Sequence, residues 1–412
     1  MQGWEESAMK NAHWLGCIIL ITHLSCGEQA EESATGVPEF RHAVVRDEPR
    51  LQRIFTNVAD MDRDGYTDIL GFGGESDTTN FLSWYQYPRY KQYVVRHGNF
   101  NVGRPLAADI DGDGDQDIIV AKSEDRTIYW YENPVSDGSI EDEWMEHRVG
   151  LTKDTDKGDY IKDYAVADFY GDGRQDIVVC TFDDPAEVFI YFQNSADDWH
   201  KATHLFENGH EGLDLGDLDG DGDEDIVLNG RWFETPTDPR SNPLIEHEID
   251  PKWHNQSGTW QRNATMTRVA DIDGDGKPDV VLSHSEMEDY PLSWYSAEDP
   301  KGQWVEHQID ASYGWCQTLD VGDVDSDGDL DVLAGRFTRP SAPMVPPPND
   351  VRIYYNPGDV TGTWQVQSLS LDESIYFGHL ADMDRDGDLD VVGPRSYWTG
   401  PINLWTNQLL TP

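Results

Sequence analysis

Seven stretches of the chain set aspartates at alternate positions, a spacing that can turn several carboxylates toward one point. The stretches follow the pattern D-x-D-x-D-G-x-x-D. The first carries Asp60, Asp62, Asp64 and Asp68, and the second carries Asp109, Asp111, Asp113 and Asp117. The third keeps only Asp168, Asp172 and Asp176, with Tyr170 where the others have their second aspartate. The fourth and fifth supply Asp217, Asp219, Asp221 and Asp225, then Asp271, Asp273, Asp275 and Asp279. The sixth and seventh supply Asp323, Asp325, Asp327 and Asp331, then Asp382, Asp384, Asp386 and Asp390. Hard divalent cations take six to eight oxygens at about 2.3–2.6 Å, and such a loop offers them. Four carboxylates within nine residues repel one another unless a cation lies between them, which argues against mere turn caps. The expectation is calcium, six or seven ions, with the third site weak or empty. Neither the flanking helices nor the twelfth-position Glu of an EF-hand is present. The sixth position is glycine in every copy (Gly65, Gly114, Gly173, Gly222, Gly276, Gly328 and Gly387), as a turn with positive φ requires.

The setting of each copy repeats as well, at intervals of 49 to 59 residues. A short alternating segment leads in, such as Gly212-Leu213-Asp214-Leu215-Gly216, and a β-branched run follows, such as Ile118-Ile119-Val120 or Val280-Val281-Leu282. Such runs suit strands buried on both faces. An aromatic pair comes next, as at Trp84-Tyr85, Trp130-Tyr131 and Trp294-Tyr295, and then a closing segment such as Val305-Glu306-His307-Gln308-Ile309. Four strands per unit make a propeller blade, and seven units make a seven-bladed all-β propeller. A fourth-strand segment, Phe40 to Val45, precedes the first motif, and nothing like it follows Trp405. The N-terminal strand is therefore expected to complete the last blade and leave no open edge.

Lys plus Arg number 30 against 79 Asp plus Glu, a formal net charge of -49. That field repels nucleic acid. The 15 tryptophans separate the chain from disordered acidic segments, so its carboxylates must be solvated, paired or metal-bound within a folded body. Seven divalent ions would bring the net charge from -49 to about -35.

Residues 1–30 read as a signal or lipoprotein-signal segment, 31–37 as a linker and 38–412 as the propeller. Lys10 precedes an apolar run from Trp14 to Leu24, which is too short to span a bilayer. Leu24-Ser25-Cys26-Gly27 resembles a bacterial lipoprotein cleavage site, with Cys26 as the lipidated residue and His23 where an aliphatic residue is usual. Export is expected, either as a secreted protein or as one lipid-anchored at the cell surface through Cys26. Cys180 and Cys316 fall in separate repeats and are expected to be free thiols rather than a disulfide. A monomer is expected.

The seven loops and their strand pattern resemble the FG-GAP and VCBS repeat propellers, related in fold to the integrin alpha-chain head. The likeness spans about residues 38–408, and Phe72-Gly73-Gly74 keeps the name-giving residues in the first repeat. It implies the fold and calcium in the matching aspartate loops, but no reaction.

In this topology the metal loops join first to second strands, and ligands are expected on the opposite face. Two long connections belong there, Pro251 to Met266 and the proline-rich Phe337 to Asn349. Near them stand His210, Glu211, Arg231, His284, Glu286, Tyr290, Trp315, Gln317 and Arg336, which change in chemistry from blade to blade. Three functions fit. A carbohydrate-binding module would stack sugars on Trp253, Trp260 and Trp315, with Glu211, Glu286 and Gln317 bonding hydroxyls. A polysaccharide lyase or sugar dehydratase would use His210, His284 or Tyr290 as acid and base, with Arg231 and Arg336 as electrostatic partners. A protein-interaction scaffold would need neither. The binding module is preferred.

Overall fold

Each aspartate loop closes a hairpin, and the hairpins set the architecture. In a computed structural model, the chain is described over residues 36–47, 52–76, 79–100, 102–122, 126–136, 138–151, 161–181, 186–206, 211–257, 260–337, 350–359, 362–396 and 400–410. The expected signal segment, linker residues 31–35, Cys26 and His210 lie outside the described residues. Among the described residues, no helix is long and apolar enough to cross a membrane.

Seven four-stranded antiparallel sheets form the blades of a propeller ring. The innermost strands are Gln52–Ala59, Val102–Ala108, Ile161–Ala167, Leu213–Gly216, Thr265–Ala270, Cys316–Gly322 and His379–Ala381. Every one of them ends on alanine or glycine. In all seven blades that small residue pairs with the ninth aspartate of the loop, from Ala59 with Asp68 to Ala381 with Asp390. A small residue at this register lets seven strand ends converge around the axis. The second strands are buried on both faces, as the unbroken β-branched runs require: Ile118, Ile119, Val120 and Ala121 are all fully inaccessible. On the outer flank, Trp130, Trp232 and Trp294 stack on His147, His247 and His307 of the fourth strands, with centroids 4.0 to 4.3 Å apart.

The ring closes as the sequence implies. Phe40–Arg46 pairs with Ile402–Asn407 and completes the seventh blade. Neighbouring blades are latched by carboxamides at the end of the third strand. Asn133 Nδ2 donates to the Met61 carbonyl of the preceding loop at 2.9 Å. Gln193, Asn356 and Asn407 do the same to Ile110, Ile272 and Val324. Cys180 and Cys316 are buried free thiols.

Candidate metal loops and opposite face

The loop backbone is nearly the same seven times over. In each copy the sixth-position N–H donates to the first aspartate, from Gly65 to Asp60 at 2.9 Å to Gly387 to Asp382 at 3.1 Å. The seventh-position N–H donates to the fifth-position carboxylate in all seven copies, the third included, where Arg174 donates to Asp172. The sixth glycines have φ between 84 and 98°. The fourth position is left-handed too, including the non-glycine residues Arg63, Ser326 and Arg385 at φ 58 to 63°. The second position is a buried apolar plug in all seven: Met61, Ile110, Phe169, Leu218, Ile272, Val324 and Met383.

The ninth aspartate does more than close a shell. Asp68 accepts N–H bonds from Met61 at 3.0 Å and from Tyr87 at 2.8 Å, which ties the loop to the end of the third strand. Asp117, Asp225, Asp331 and Asp390 repeat this double bond. Burial pushes these carboxyls up, with neighbouring aspartates adding to it: Asp68, Asp225, Asp279, Asp331 and Asp390 to about 7 and Asp117 to about 8.

Six groups of at least three metal-ligating side chains bring ligand atoms within 4.8 Å of one another among the described residues. Five of them are Asp60/Asp62/Asp68, Asp109/Asp111/Asp117, Asp217/Asp219/Asp225, Asp271/Asp273/Asp279 and Asp323/Asp325/Asp331. Buried carboxylate oxygens of Asp217, Asp271, Asp325 and Asp384 have no donor among the described residues. An all-oxygen, multiply charged donor set with unmet oxygens fits a hard divalent cation. Four loops add a seventh-position carboxylate that the motif reading passed over: Asp115, Asp223, Asp329 and Asp388.

The third loop is neutralised from within the protein. The Arg174 guanidinium pairs with Asp172. Arg240, from the next blade, lies 3.7 Å from the same carboxylate and 4.0 Å above the Tyr170 ring. In the fourth loop Lys301, again from the next blade, lies 2.8 Å from Asp219 and 3.0 Å from Glu234.

On the opposite face the structure joins some expected residues and separates others. Glu211 accepts the Ser285 hydroxyl, the Ser285 carbonyl accepts Gln317 Nε2 at 2.8 Å, and Gln317 reaches Glu286 at 3.3 Å. All four are buried. His284, expected as an acid or base, is fully buried. Its Nδ1 accepts from the N–H groups of Glu286 and Met287 at 3.2 and 3.1 Å, and Nε2 donates to Arg262 O at 3.3 Å. Burial pushes the ring down to about 4, so it is neutral at pH 7. Tyr290 packs on that ring, with centroids 4.0 Å apart.

Trp253 is also a core residue rather than a sugar platform: it sits in the short helix Pro251–Trp253, fully buried, and donates to Tyr295 Oη at 2.9 Å. Arg231 is buried against Glu246 at 2.9 Å, and Arg336 lies 4.0 Å over Tyr313 while donating to Ser312 O. The Trp260 side chain and residues 338–349 lie outside the described residues. Of the expected aromatic platforms, Trp315 remains. It is half-buried, with φ of 61° and an indole N–H that has no acceptor among the described residues.

The axial channel holds charges that the motif reading missed. Three residues before the first loop aspartate, the inner strands carry Asp214, Arg268, Asp320 and His379 in four consecutive blades. Arg268 Nε donates to Asp320 at 2.9 Å, Asp214 accepts Val269 N–H at 2.8 Å, and Asp320 accepts Leu380 N–H at 2.8 Å. His379 Nε2 lies 2.9 Å from Thr56 O, which carries the belt back to the first blade.

A family model described as FG-GAP-like repeat matches residues 109–179, 168–228 and 253–334. A stretch of 155 residues is 26% identical to cartilage acidic protein 1 of Xenopus tropicalis, covering 34% of this chain and 23% of that protein. The chain thus spans under a quarter of that relative's length. The solved structures that share the fold include the following three. One is a lectin of Agrocybe aegerita that recognises non-reducing terminal N-acetylglucosamine (TM-score 0.52, 18% identity, 78% of this chain and 81% of that one). Another is a V. cholerae biofilm matrix protein (TM-score 0.51, 11% identity, 90% and 91%). The third is a catalytically inactive virginiamycin B lyase of Staphylococcus aureus with quinupristin (TM-score 0.51, 10% identity, 89% and 99%). At these identities the likeness is one of fold.

Proposed function

We propose that this seven-bladed propeller of FG-GAP-like repeats is an exported monomer that binds calcium in its aspartate loops and a carbohydrate on the opposite face. The aspartates at the first, third and ninth positions would hold the ions, whose charge would offset the repulsion within each loop. Lys10 ahead of the apolar run to Leu24 supports export, and Cys26 offers a position for a lipid anchor. The carbohydrate reading accords with the lectin and the matrix protein among its structural neighbours.

The observation that carries the ligand face is a pair of aromatic residues held in left-handed backbone, Trp315 at φ 61° and Phe377 at φ 50°. Such conformations cost on the order of 1–3 kcal/mol each and persist only where the surroundings impose them. Here Trp315 N–H donates to Met287 O at 3.0 Å and Phe377 N–H to Gln317 O at 3.1 Å. Both residues stand just before inner strands, at the end of the ring away from the metal loops. The half-buried Trp315 indole offers a ring face that suits stacking on a sugar.

A glycan array probed with the calcium-loaded protein tests this. At least one glycan class should bind, and Trp315→Ala should weaken it by about tenfold, the loss of one stacking contact. No binding to any glycan, or binding indifferent to Trp315, would refute the carbohydrate reading.

A further inference from the structure

The two channel arginines are in different states. Arg268 is committed to Asp320 and to the Thr267 carbonyl, at 2.9 and 2.8 Å. Arg104, the third residue of its inner strand, makes no hydrogen bond or ion pair among the described residues. Its guanidinium carbon lies 5.2 Å from the centroid of the Phe377 ring. Its position follows from its neighbours. Phe377 belongs to the seventh blade, while Asp163, Asp214, Arg268 and Asp320, which act on its charge, come from the third to sixth blades. A side chain from the second blade that feels all of these lies on the ring axis. It enters near the start of its strand, at the end of the channel away from the metal loops.

A guanidinium stays charged at any physiological pH and carries five donors. Donors left open in this way, in a chain with 79 acidic residues to choose from, are available to an outside anion. The strained Phe377 supplies a floor beneath it. We propose that the channel mouth receives the carboxylate of an acidic sugar, with Arg104 as its counter-ion. The proposal rests on the carbohydrate reading and specifies the sugar class.

The surroundings choose among anions. Asp163, Asp214 and Asp320 also act on Arg104, so the mouth offers one guanidinium among acids rather than a cluster of positive charge, which suits a single carboxylate. Planar carboxylate matches the guanidinium fork in two parallel bonds. A uronate at a chain end or an exposed branch presents its carboxylate as a single side group, which one guanidinium at the mouth can engage.

The experiment is calorimetry of the full, calcium-loaded chain with a galacturonate tetramer, a matched galactose tetramer and a sulfated galactose tetramer. The wild type should bind the uronate at least tenfold more tightly than the neutral sugar, with a preference that shrinks as salt rises. Arg104→Met should remove that preference and leave the neutral affinity in place, and Arg104→Lys should keep part of it. If Arg104→Met does not fold, as judged by its melting curve in calcium, Arg104→Lys alone decides through the salt dependence. Equal affinity for uronate and neutral sugar overturns the role of Arg104 while sparing the carbohydrate reading. A preference for the sulfated tetramer overturns the carboxylate assignment. Binding of none of the three, where a glycan array gives hits elsewhere, overturns the acidic-sugar proposal. Silence on the array as well overturns both.

Discussion

Six loops and the third loop share a backbone yet deal with their negative charge in opposite ways. In the six, aspartates at the first, third, fifth and ninth positions leave carboxylates crowded against one another, eased in the fourth loop by Lys301 beside Asp219, and oxygens of Asp217, Asp271, Asp325 and Asp384 stay buried without donors among the described residues. In the third, Tyr170 removes one carboxylate, and Arg174 and Arg240 bring guanidinium groups to Asp172. The same turn, with the same N–H bonds from Gly173 to Asp168 and from Arg174 to Asp172, stands with protein cations. The hairpin therefore does not need an ion to have its shape; it needs its charge balanced. A soluble ion makes that balance depend on solution conditions, whereas an arginine makes it permanent.

The largest expected effect tests whether the six loops depend on an outside cation. Each ion at a hundred times its Kd adds about 2.7 kcal/mol. Several ions removed together should lower Tm by something on the order of 20 °C. Scanning calorimetry in excess chelator, with calcium restored as the control, measures it. An unchanged melting curve would mean that all seven loops balance charge as the third does.

A smaller effect follows from the ninth aspartates. Burial raises their carboxyls from 3.8 to about 7, or to about 8 for Asp117. A carboxyl raised on folding binds its proton more tightly in the folded state, so its stabilising contribution is present at low pH and lost as pH rises through the folded value. The chelated protein should accordingly become more stable as pH falls from about 8 toward 5. In saturating calcium the slope should reverse, because protons then compete with the ion for the same oxygens. Melting curves at matched pH with and without chelator read both slopes, and parallel slopes would detach these carboxylates from the metal.

The repeat made most of this legible. Seven aspartate motifs, β-branched runs and an unpaired N-terminal strand are local patterns, and they fixed blade number, strand order and ring closure. What escaped depends on contacts between distant segments. The second N–H bond to Asp68, Asp117, Asp225, Asp331 and Asp390 comes from the exit of the third strand, as from Tyr87 to Asp68. The left-handed fourth position is hidden where the residue is Arg63, Ser326 or Arg385 rather than glycine. His284 and Trp253 looked like loop residues, but their hydrogen bonds to Arg262 O and to Tyr295 fold them into the core. The channel belt was available in principle. Aligning the repeats on their first aspartate puts Asp214, Arg268, Asp320 and His379 in one column, and a charged column on the innermost strand of a ring has nowhere to lie but the axis.

The finest contrast is within the third loop itself, and it can be reversed. Arg240 reaches across from the fourth blade: Nη1 donates to Asn194 at 3.1 Å, Nη2 lies 3.4 Å from the Gln193 carbonyl, and the guanidinium rests on Tyr170 and Phe192. It thus balances Asp172 and clamps the third blade to the fourth at once. Arg240→Ala should cost about 1–2 kcal/mol, the worth of a partly buried cation–π and ion-pair contact. The loss should be equal with and without calcium, because no ion serves this junction. Replacing Tyr170→Asp, Arg174→Tyr and Arg240→Ala together restores the acid pattern of the first loop and removes both guanidinium groups. That variant should bind one more calcium per chain by elemental analysis, and chelation should then destabilise it more than the wild type by the share of one ion, about 2.7 kcal/mol at a hundredfold excess over Kd. A wild type that already binds seven equivalent ions, or an Arg240→Ala variant that weakens only in chelator, would show that arginine does not stand in for the metal. An extra ion gained by the triple variant would show that the choice between permanent and exchangeable charge rests on three side chains around one unchanged turn.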